Sequence, residues 1–286
     1  MGDFLTYLIS GLAIGCSFAL VASGFVVIHR VSRVVNFAQG TFVVVGGMMT
    51  GAMLGKGLPQ GVSEILGIAL ATLSGLVVGF IAIGKPGTST LASLVITLGL
   101  GILAYALEIV AWGDQPTSFR MASGSVTIFG ARILTQYLVV IGAAALTFVA
   151  LGLFFARSYV GKALTACASN PHAARICGIN PIRMGLIAFA LGGFLGGLAG
   201  VLVTPLQPVS FDSDVALATS GFAAAIFGGL NGPTAALVGG IVLGVTESFV
   251  AGYFNASYQT EVALILMLAI MIWRSNKRLT VAEEVA

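Results

Sequence analysis

The chain has 286 residues, of which 58% are hydrophobic and only 8% are charged, and its formal net charge is +3. Soluble globular proteins carry about 25% charged residues, so the composition excludes a soluble domain and predicts an all-α polytopic membrane protein. The basic residues flank apolar runs instead of forming a patch, which argues against a nucleic-acid partner and for contact with membrane lipid.

Apolar segments predict the membrane spans. A helix that crosses a bilayer needs about 20 predominantly apolar residues, and five segments meet this length: 4–28, 62–83, 91–112, 133–155 and 184–203. Four shorter candidates are 38–54, 217–230, 234–250 and 262–273. We therefore expect eight or nine transmembrane or partly spanning helices in a single membrane domain over residues 1–286. The segment 217–230 is short enough to form half of a broken hairpin.

The basic residues also predict the orientation. If all nine segments cross, one side holds Arg30, Arg33, Lys85, Arg157, Lys162, Arg175, Arg183, Arg274, Lys277 and Arg278, and the other holds Lys56, Arg120 and Arg132. The positive-inside rule places the richer side in the cytoplasm. The N-terminus is then outside, and the C-terminus is inside with a cytoplasmic tail at 274–286.

Small residues and two amides mark the first two helices. Gly11 and Gly15 form a GxxxG face, which lets helix backbones approach closely in a membrane. Asn36 is a candidate N-cap, and Gln39 follows at the spacing of a capping box, so that capping or packing would explain both amides. Alternatively, both amides face a transport path, because a buried amide needs a hydrogen-bonding partner. Both hypotheses remain open.

The fourth segment ends near the opposite surface. Glu108 lies about one turn inside that end and is expected to reach the interface. In the external segment 114–132, the residues 126–130 are predicted to form a short strand or an interfacial loop.

The interval 157–183 is the only long polar stretch of the chain. Asn170-Pro171 pairs an N-cap residue with a proline at the first helical position, and Gly178 stands where a left-handed C-cap would fall. One short helix, 171–177, is therefore predicted. A helix of two turns is unstable alone in water, so it is expected to dock on the membrane domain, on a partner protein, or on both.

The last third of the chain is rich in glycine. Gly192, Gly193, Gly196, Gly197 and Gly200 leave one side of a helix nearly bare, so tight packing against another helix is expected. Asp212 and Asp214 are N-cap candidates at an external corner. Glu247 lies well inside a span, where an ionisable residue is costly. It either organises a transport path or is protonated and hydrogen-bonded between helices.

Several of these stretches resemble one family. Residues 161–164, 170–175 and 178–180 are similar to the cytoplasmic coupling loop of ABC importer permeases, in particular the LivH type associated with branched-chain amino acid uptake. Residues 35–40, 97–101 and the glycine-rich turn 228–233 resemble further landmarks of that family, in the expected order. Departures are His172 where a glutamate is typical, Gln39 where histidine is common, and Ala104-Tyr105 in place of a polar amide pair.

The resemblance implies roles for named residues. The ATPase-coupling residues would be Asn170, Pro171, His172, Ala173, Ala174, Arg175 and Gly178, and the substrate pathway would include Asn36, Gln39, Thr97 and Glu247. The implied partners are a homologous second permease of the LivM type, two ATPase subunits and an external solute-binding protein, in a bacterial inner membrane.

The chain lacks two sequence motifs, one typical of ATP-hydrolysing proteins and one typical of metalloproteases. It contains neither GxxxxGK[ST] nor HExxH, so it is not expected to be an enzyme or to bind a cofactor. ATP and Mg²⁺ are expected on the ATPase partners. The implied cargo is a branched-chain or related amino acid, with amides, urea or aromatic acids as the alternative. A homodimer of permeases and an ion-coupled secondary transporter using Glu247 or Glu108 also remain open.

Overall fold

The computed structural model describes residues 2–84, 88–128, 131–230, 232–255, 258, 261 and 264–272. Its helices are α1 (Gly2–Ser32), α2 (Gln39–Gly55), α3 (Gln60–Ile83), α4 (Thr90–Trp112), α5 (Thr135–Arg157), α6 (Tyr159–Ser169), α7 (Pro171–Ile176), α8 (Pro181–Val203), α9 (Ser213–Phe227) and α10 (Pro233–Tyr253). Two strands, β1 (Ser125–Ile128) and β2 (Ala131–Leu134), lie between α4 and α5. Residues 264–272 are also helical.

Six helices are long and apolar enough to cross a membrane, namely α1, α3, α4, α5, α8 and α10. The shorter α2 and α9 have 17 and 15 residues. At a rise of 1.5 Å per residue, α9 is only about 22 Å long, as the prediction of a partial span requires. Each of the nine predicted apolar segments contains helix. Lys85, Asn231, Trp273 and the predicted tail 274–286 lie outside the described residues.

The central helix of the bundle is α1, which contacts α5, α8, α9 and α10. Its glycine face meets α10 at very short range. A Cβ atom added at Gly11 would lie 2.8 Å from the Cα of Val245, and one added at Gly15 would lie 2.9 Å from the Cα of Ile241. The predicted packing role of this face is therefore confirmed.

The glycines of α8 allow it to pack on two helices rather than on one. A Cβ at Gly193 would lie 3.1 Å from the Cα of Gly75 in α3, and a Cβ at Gly200 would lie 2.9 Å from the backbone N of Gly47 in α2. Side chains at these positions would force the helices apart. The layer formed by α2, α3 and α8 thus depends on backbone contact.

α4 lies at the edge of this layer, where it packs on α2 and α3 and exposes most of its remaining surface. The residues that it buries are Ser93, Thr97, Gly101 and Glu108. Three of these four are polar, whereas the exposed side of the helix is apolar. The buried face of α4 therefore places polar side chains inside the bundle.

A β-hairpin lies between α4 and α5, so the prediction of an all-α protein lacked this small element. Ser125 pairs with Leu134, and the strands are antiparallel. The prediction of a short strand in this segment is confirmed. α5 begins at Thr135, whereas the predicted apolar span began at residue 133, which lies in β2. Nearby, Thr117 and Val209 exchange backbone hydrogen bonds of 2.8 and 3.0 Å, which tie the segment after α4 to the segment after α8.

α9 begins level with the middle of α8, on an open side of the bundle where Asp212 is exposed, so the prediction of an external corner at Asp212 and Asp214 is wrong. A Cβ at Gly40 would lie 2.8 Å from the carbonyl carbon of Asp214. The preceding residue, Gln39, bonds to Gly192, which lies at the middle of the 23-residue α8. The chain after α8 therefore turns back into the protein, where irregular backbone is tolerated at membrane depth. Asp212 holds the N-cap position without a side-chain hydrogen bond to the helix.

Candidate coupling surface and buried polar sites

The polar interval 157–183 forms two helices, α6 and α7, rather than the single helix predicted. α6 starts after Ser158, whose Oγ accepts a hydrogen bond from the backbone N of Gly161 at 2.8 Å. The buried residues of α6 are Gly161, Leu164 and Cys167. Their three-residue spacing places them on one face of a helix, and this is the signal from which α6 could have been predicted.

Both ends of α7 are capped as predicted. The Oδ1 of Asn170 accepts hydrogen bonds from the backbone N of His172 and of Ala173, each at 3.0 Å. Pro171 holds the first helical position. At the other end, Gly178 has a φ of +81°, the left-handed conformation that ends helices and that glycine adopts without strain.

Ala174 attaches α7 to the rest of the chain. It is 4% exposed and belongs to an apolar cluster with Val27 of α1, Leu164 and Cys167 of α6, and Ala188 of α8. A helix of six residues cannot hold its own shape in water. Docking through Ala174 therefore keeps α7 in place, as one of the predicted alternatives requires.

The opposite side of α7 is open. His172, Ala173 and Arg175 are exposed, and Ile176 is 88% exposed. Tyr159, at the start of α6, is 92% exposed. Large apolar side chains beside charged ones on a free surface are typical of protein contact sites. We refer to these five residues as the coupling surface.

Arg33 links α6 to the membrane helices. Its Nη2 donates a hydrogen bond to the carbonyl O of Ala168 at 2.7 Å. Arg33 follows the last residue of α1 and has a φ of +60°, which is uncommon for a residue other than glycine and persists where surrounding contacts hold it. The bond therefore ties the end of α6 to the connection between α1 and α2.

Three of the four predicted pathway residues meet in one buried polar junction. Gln39 donates from Nε2 to the carbonyl O of Gly192 at 3.0 Å, and the Nδ2 of Asn36 lies 3.5 Å from the Oε1 of Gln39. The backbone N of Phe37 donates to the Oγ1 of Thr97 at 3.3 Å. The side chains of Asn36, Gln39 and Thr97 are at most 1% exposed. The junction thus ties the start of α2 to α4 and α8.

Of the predicted capping or packing role of the two amides, the capping box is wrong and the packing role is confirmed. α2 begins at Gln39, and Ala38 occupies its N-cap position without a side-chain hydrogen bond. The Oδ1 of Asn36 accepts from the backbone N of Ala38 at 3.2 Å, which forms a local turn before the helix. The Gln39 side chain is drawn instead to α8, because Gly192 and Gly196 leave room for it there. A role of these amides in a transport path remains a prediction.

Glu247 lies apart from the junction, between α9 and α10. It is 5% exposed, and the Oγ of Ser220 donates to its Oε1 at 3.3 Å. This contact is the interhelical hydrogen bond that one of the two hypotheses requires. Among the described residues, no group of three or more His, Cys, Asp or Glu side chains could hold a metal ion.

Glu247→Gln separates the two hypotheses for this residue. The amide oxygen of glutamine still accepts from Ser220, and hydrogen bonds between membrane helices contribute only about 0.6 kcal/mol on average. We therefore expect the variant to keep both its thermal stability and its solute uptake near wild-type levels. Uptake by the reconstituted transporter checks this, with Ser220→Ala as the control that removes the donor. A stable variant without uptake would instead support the pathway role.

Glu108 is buried rather than interfacial, contrary to expectation. It is 2% exposed, and neither Oε1 nor Oε2 has a hydrogen-bonding partner among the described residues. The Oγ1 of Thr41, 3% exposed, is unpartnered in the same way. The sequence offers one signal for this burial, because Glu108 continues the stripe of Thr97 and Gly101 on α4.

Comparisons with known proteins agree with this arrangement of helices. A family model described as "Branched-chain amino acid transport system / permease component" matches residues 7–273. The permease protein LivH of Escherichia coli, named for high-affinity branched-chain amino acid transport, is 26% identical over 94% of this chain and 93% of its own length.

Two further comparisons extend the likeness. A probable LivH permease of Methanocaldococcus jannaschii is 27% identical over 91% of this chain and 90% of its own length. Among solved structures, the fold is similar to a chain of PsaBC from Streptococcus pneumoniae, with a TM-score of 0.54 at 16% identity over 94% of this chain and 91% of that one. The chain belongs to the branched-chain amino acid transport system permease family, and it is a multi-pass transport subunit of the cytoplasmic membrane rather than an enzyme.

Proposed function

We propose that the chain forms half of the translocation pathway of a binding-protein-dependent ABC importer. Membership of the permease family implies partnership with other components of such an importer. The observation that carries the finer proposal is α7, which is capped at both ends, held to the chain by Ala174, and free on its other side. A short helix built in this way suits the transfer of motion from a second protein.

The partner at the coupling surface is an ATPase subunit in this proposal. The exposed Tyr159 and Ile176 provide apolar contacts, and His172 and Arg175 provide polar ones. The full importer has two such subunits, which bind ATP and Mg²⁺, and a homologous second permease of the LivM type. When the ATPases close, they move α6 and α7, and the Arg33 contact with Ala168 passes this movement to the start of α2.

Cargo and orientation follow from different observations. The relatives named for branched-chain amino acid transport suggest a branched-chain or related amino acid, delivered by an external solute-binding protein. The coupling surface must face the cytoplasm to reach ATP, which places the N-terminus outside and the C-terminus inside, in agreement with the positive-inside rule. In the pathway, Asn36, Gln39 and Thr97 act by positioning α2 against α4 and α8, and Glu247 by positioning α10 against α9.

Purification in mild detergent tests the assembly. We expect the tagged chain to bring down a second permease and ATPase subunits, identified by mass spectrometry, and the reconstituted complex to take up leucine when ATP is supplied with the solute-binding protein. A chain that purifies alone and transports without ATP would overturn the proposal in favour of a secondary transporter.

Thiol labelling tests the coupling surface directly. Cys177 follows α7 and is exposed, whereas Cys167 is buried in α6, where burial raises the pKa of its thiol. The thiolate is the reactive form, so a maleimide is expected to label Cys177 quickly and Cys167 slowly. Bound ATPase subunits should slow the labelling of Cys177 at least about tenfold, because they cover α7. Equal labelling with and without ATPases would place their contact elsewhere.

A further inference from the structure

An apolar groove runs between α2, α3 and α4, and Glu108 and Thr41 both line it. Its volume is about 390 Å³, within the range of roughly 300–1,000 Å³ that is common for small-molecule sites. The walls are mostly aliphatic and include Leu73, Val77 and Leu103, each about half exposed. The groove therefore opens sideways from the bundle, and its lining combines apolar walls with the buried carboxyl group of Glu108.

The buried polar atoms of Glu108 and Thr41 have no partner in the described part of the chain. Both carboxyl oxygens of Glu108 and the Oγ1 of Thr41 are buried without a hydrogen bond. Leaving such atoms unpaired is unfavourable, and more so for a charged group. Ser74, which lines the same groove, differs because its Oγ donates to the carbonyl O of Leu70 at 3.0 Å. The unsatisfied acceptors of the groove therefore belong to Glu108 and Thr41.

A second carboxyl group lies near Glu108. The carboxyl group of Asp214, at the start of α9, is close enough to interact with it electrostatically. None of the residues that line the groove is a lysine or an arginine. A ligand that satisfies Glu108 and Thr41 must bring hydrogen-bond donors, and two neighbouring carboxyl groups favour a ligand that also carries a positive charge. An ammonium group fits, because it has three N–H donors and no acceptor.

We propose that this groove receives the cargo in transit, with the ammonium group of an amino acid bound to Glu108 and Thr41 and its aliphatic side chain against α3 and α4. The assignment rests on the proposed importer function and names the part of the cargo that this chain recognises. The cargo carboxylate, which is attached to the same carbon as the ammonium group, points toward the open side of the groove. An acyl chain of a lipid would fill the aliphatic walls but would leave the acceptors of Glu108 and Thr41 unpaired.

Three variants of the reconstituted importer test the assignment. Glu108→Gln removes the charge at nearly constant shape, and we expect the maximal rate of leucine uptake to fall about tenfold, as the loss of one charge-assisted hydrogen bond predicts. Thr41→Val should lower it less. Ser74→Ala is the matched control, because Ser74 lines the same groove with its hydroxyl already bonded, and its uptake should stay at the wild-type rate.

A chemical probe reports occupancy without relying on uptake. Dicyclohexylcarbodiimide modifies carboxyl groups in membranes, and mass spectrometry can follow its reaction at Glu108 and at Glu247 separately. We expect leucine and leucinamide, which both carry an ammonium group, to slow the reaction at Glu108 and not at Glu247. 4-Methylpentanoate, which lacks the ammonium group, should have no effect on either.

The outcomes separate this assignment from the proposed function. If the wild-type importer takes up leucine while Glu108→Gln does so at the same rate, the groove assignment fails and the importer function stands. Protection of Glu108 by 4-methylpentanoate as strong as that by leucinamide would also overturn it. A Glu108 that does not react with dicyclohexylcarbodiimide in the absence of any amine would also overturn the assignment, because the second permease or a lipid would then occupy the groove. No leucine uptake by the wild-type complex would instead count against the proposed cargo.

Discussion

Ala174→Glu is expected to abolish ATP-dependent uptake while the chain remains inserted in the membrane. Ala174 is 4% exposed and packs in the cluster that holds Leu164 and Cys167 of α6. A carboxylate at this position would be buried without a partner, which costs several kcal/mol. α7 has only six residues and cannot stay folded without this contact. The substitution should therefore release α7 from the permease.

Release of α7 can be measured at Cys167. In a Cys177→Ser background, Ala174→Glu should increase the rate at which a maleimide labels Cys167 by at least about tenfold, since the two residues share one cluster. Ala173→Glu is the matched control, because Ala173 is exposed on the same helix. It should weaken ATPase binding and leave Cys167 protected. An Ala174→Glu variant with normal uptake and a protected Cys167 would show that α7 does not dock through this residue.

Features set by neighbours in the sequence were predictable. The cap at Asn170 and the left-handed Gly178 follow from rules that involve residues two or three positions apart. Apolar length alone also located each membrane helix, because the hydrocarbon core sets the number of residues needed to cross it. These interactions close within one or two turns, so one sequence contains them.

Features set by contacts between distant segments were not predictable. The side chain of Gln39 has the spacing of a capping box, but Gly192 lies 153 positions away in the chain and offers a carbonyl in space opened by missing side chains. The entry of α9 into the bundle depends in the same way on its contact with Gly40. A local sequence pattern suggests a hydrogen-bonding partner for a polar side chain, but the packing of the helices determines which partner the side chain contacts.

Glu247 and Glu108 show the same difference between what the local sequence predicts and what the packing determines. The sequence identified Glu247 as an ionisable residue inside a span, and the structure gives it Ser220 as a partner. It offered no basis for predicting that Glu108 would be left without one, because that depends on α2 and α3 walling a groove beside α4. An unpaired buried acceptor becomes visible only when every neighbour is known. The unpaired carboxyl group of Glu108 was therefore harder to predict from the sequence than the buried position of Glu247.

Gly200→Leu is expected to prevent correct assembly of the helix bundle. A Cβ at this position would lie 2.9 Å from the backbone N of Gly47 and still closer to the carbonyl O of Val43, both in α2. Backbone atoms cannot move aside as a side chain can, so α2 and α8 must separate. Overpacking by extra methylenes typically costs about 1–3 kcal/mol, and a whole leucine side chain against backbone exceeds this. Each 1.4 kcal/mol lowers the ratio of folded to unfolded protein about tenfold.

Gly99→Leu is the control that isolates packing from helix propensity. Gly99 lies in α4, and a Cβ added there meets no atom within 4 Å. Leucine favours helix over glycine by a similar amount at both positions, so propensity alone would stabilise both variants. We expect size-exclusion chromatography of fluorescently tagged protein to show a wild-type peak for Gly99→Leu and a peak at least about tenfold smaller for Gly200→Leu. Peaks of equal height would mean that α2 and α8 do not meet at Gly47 and Gly200 in the membrane. The polar junction at Gln39, which needs the same two helices in contact, would then be lost as well.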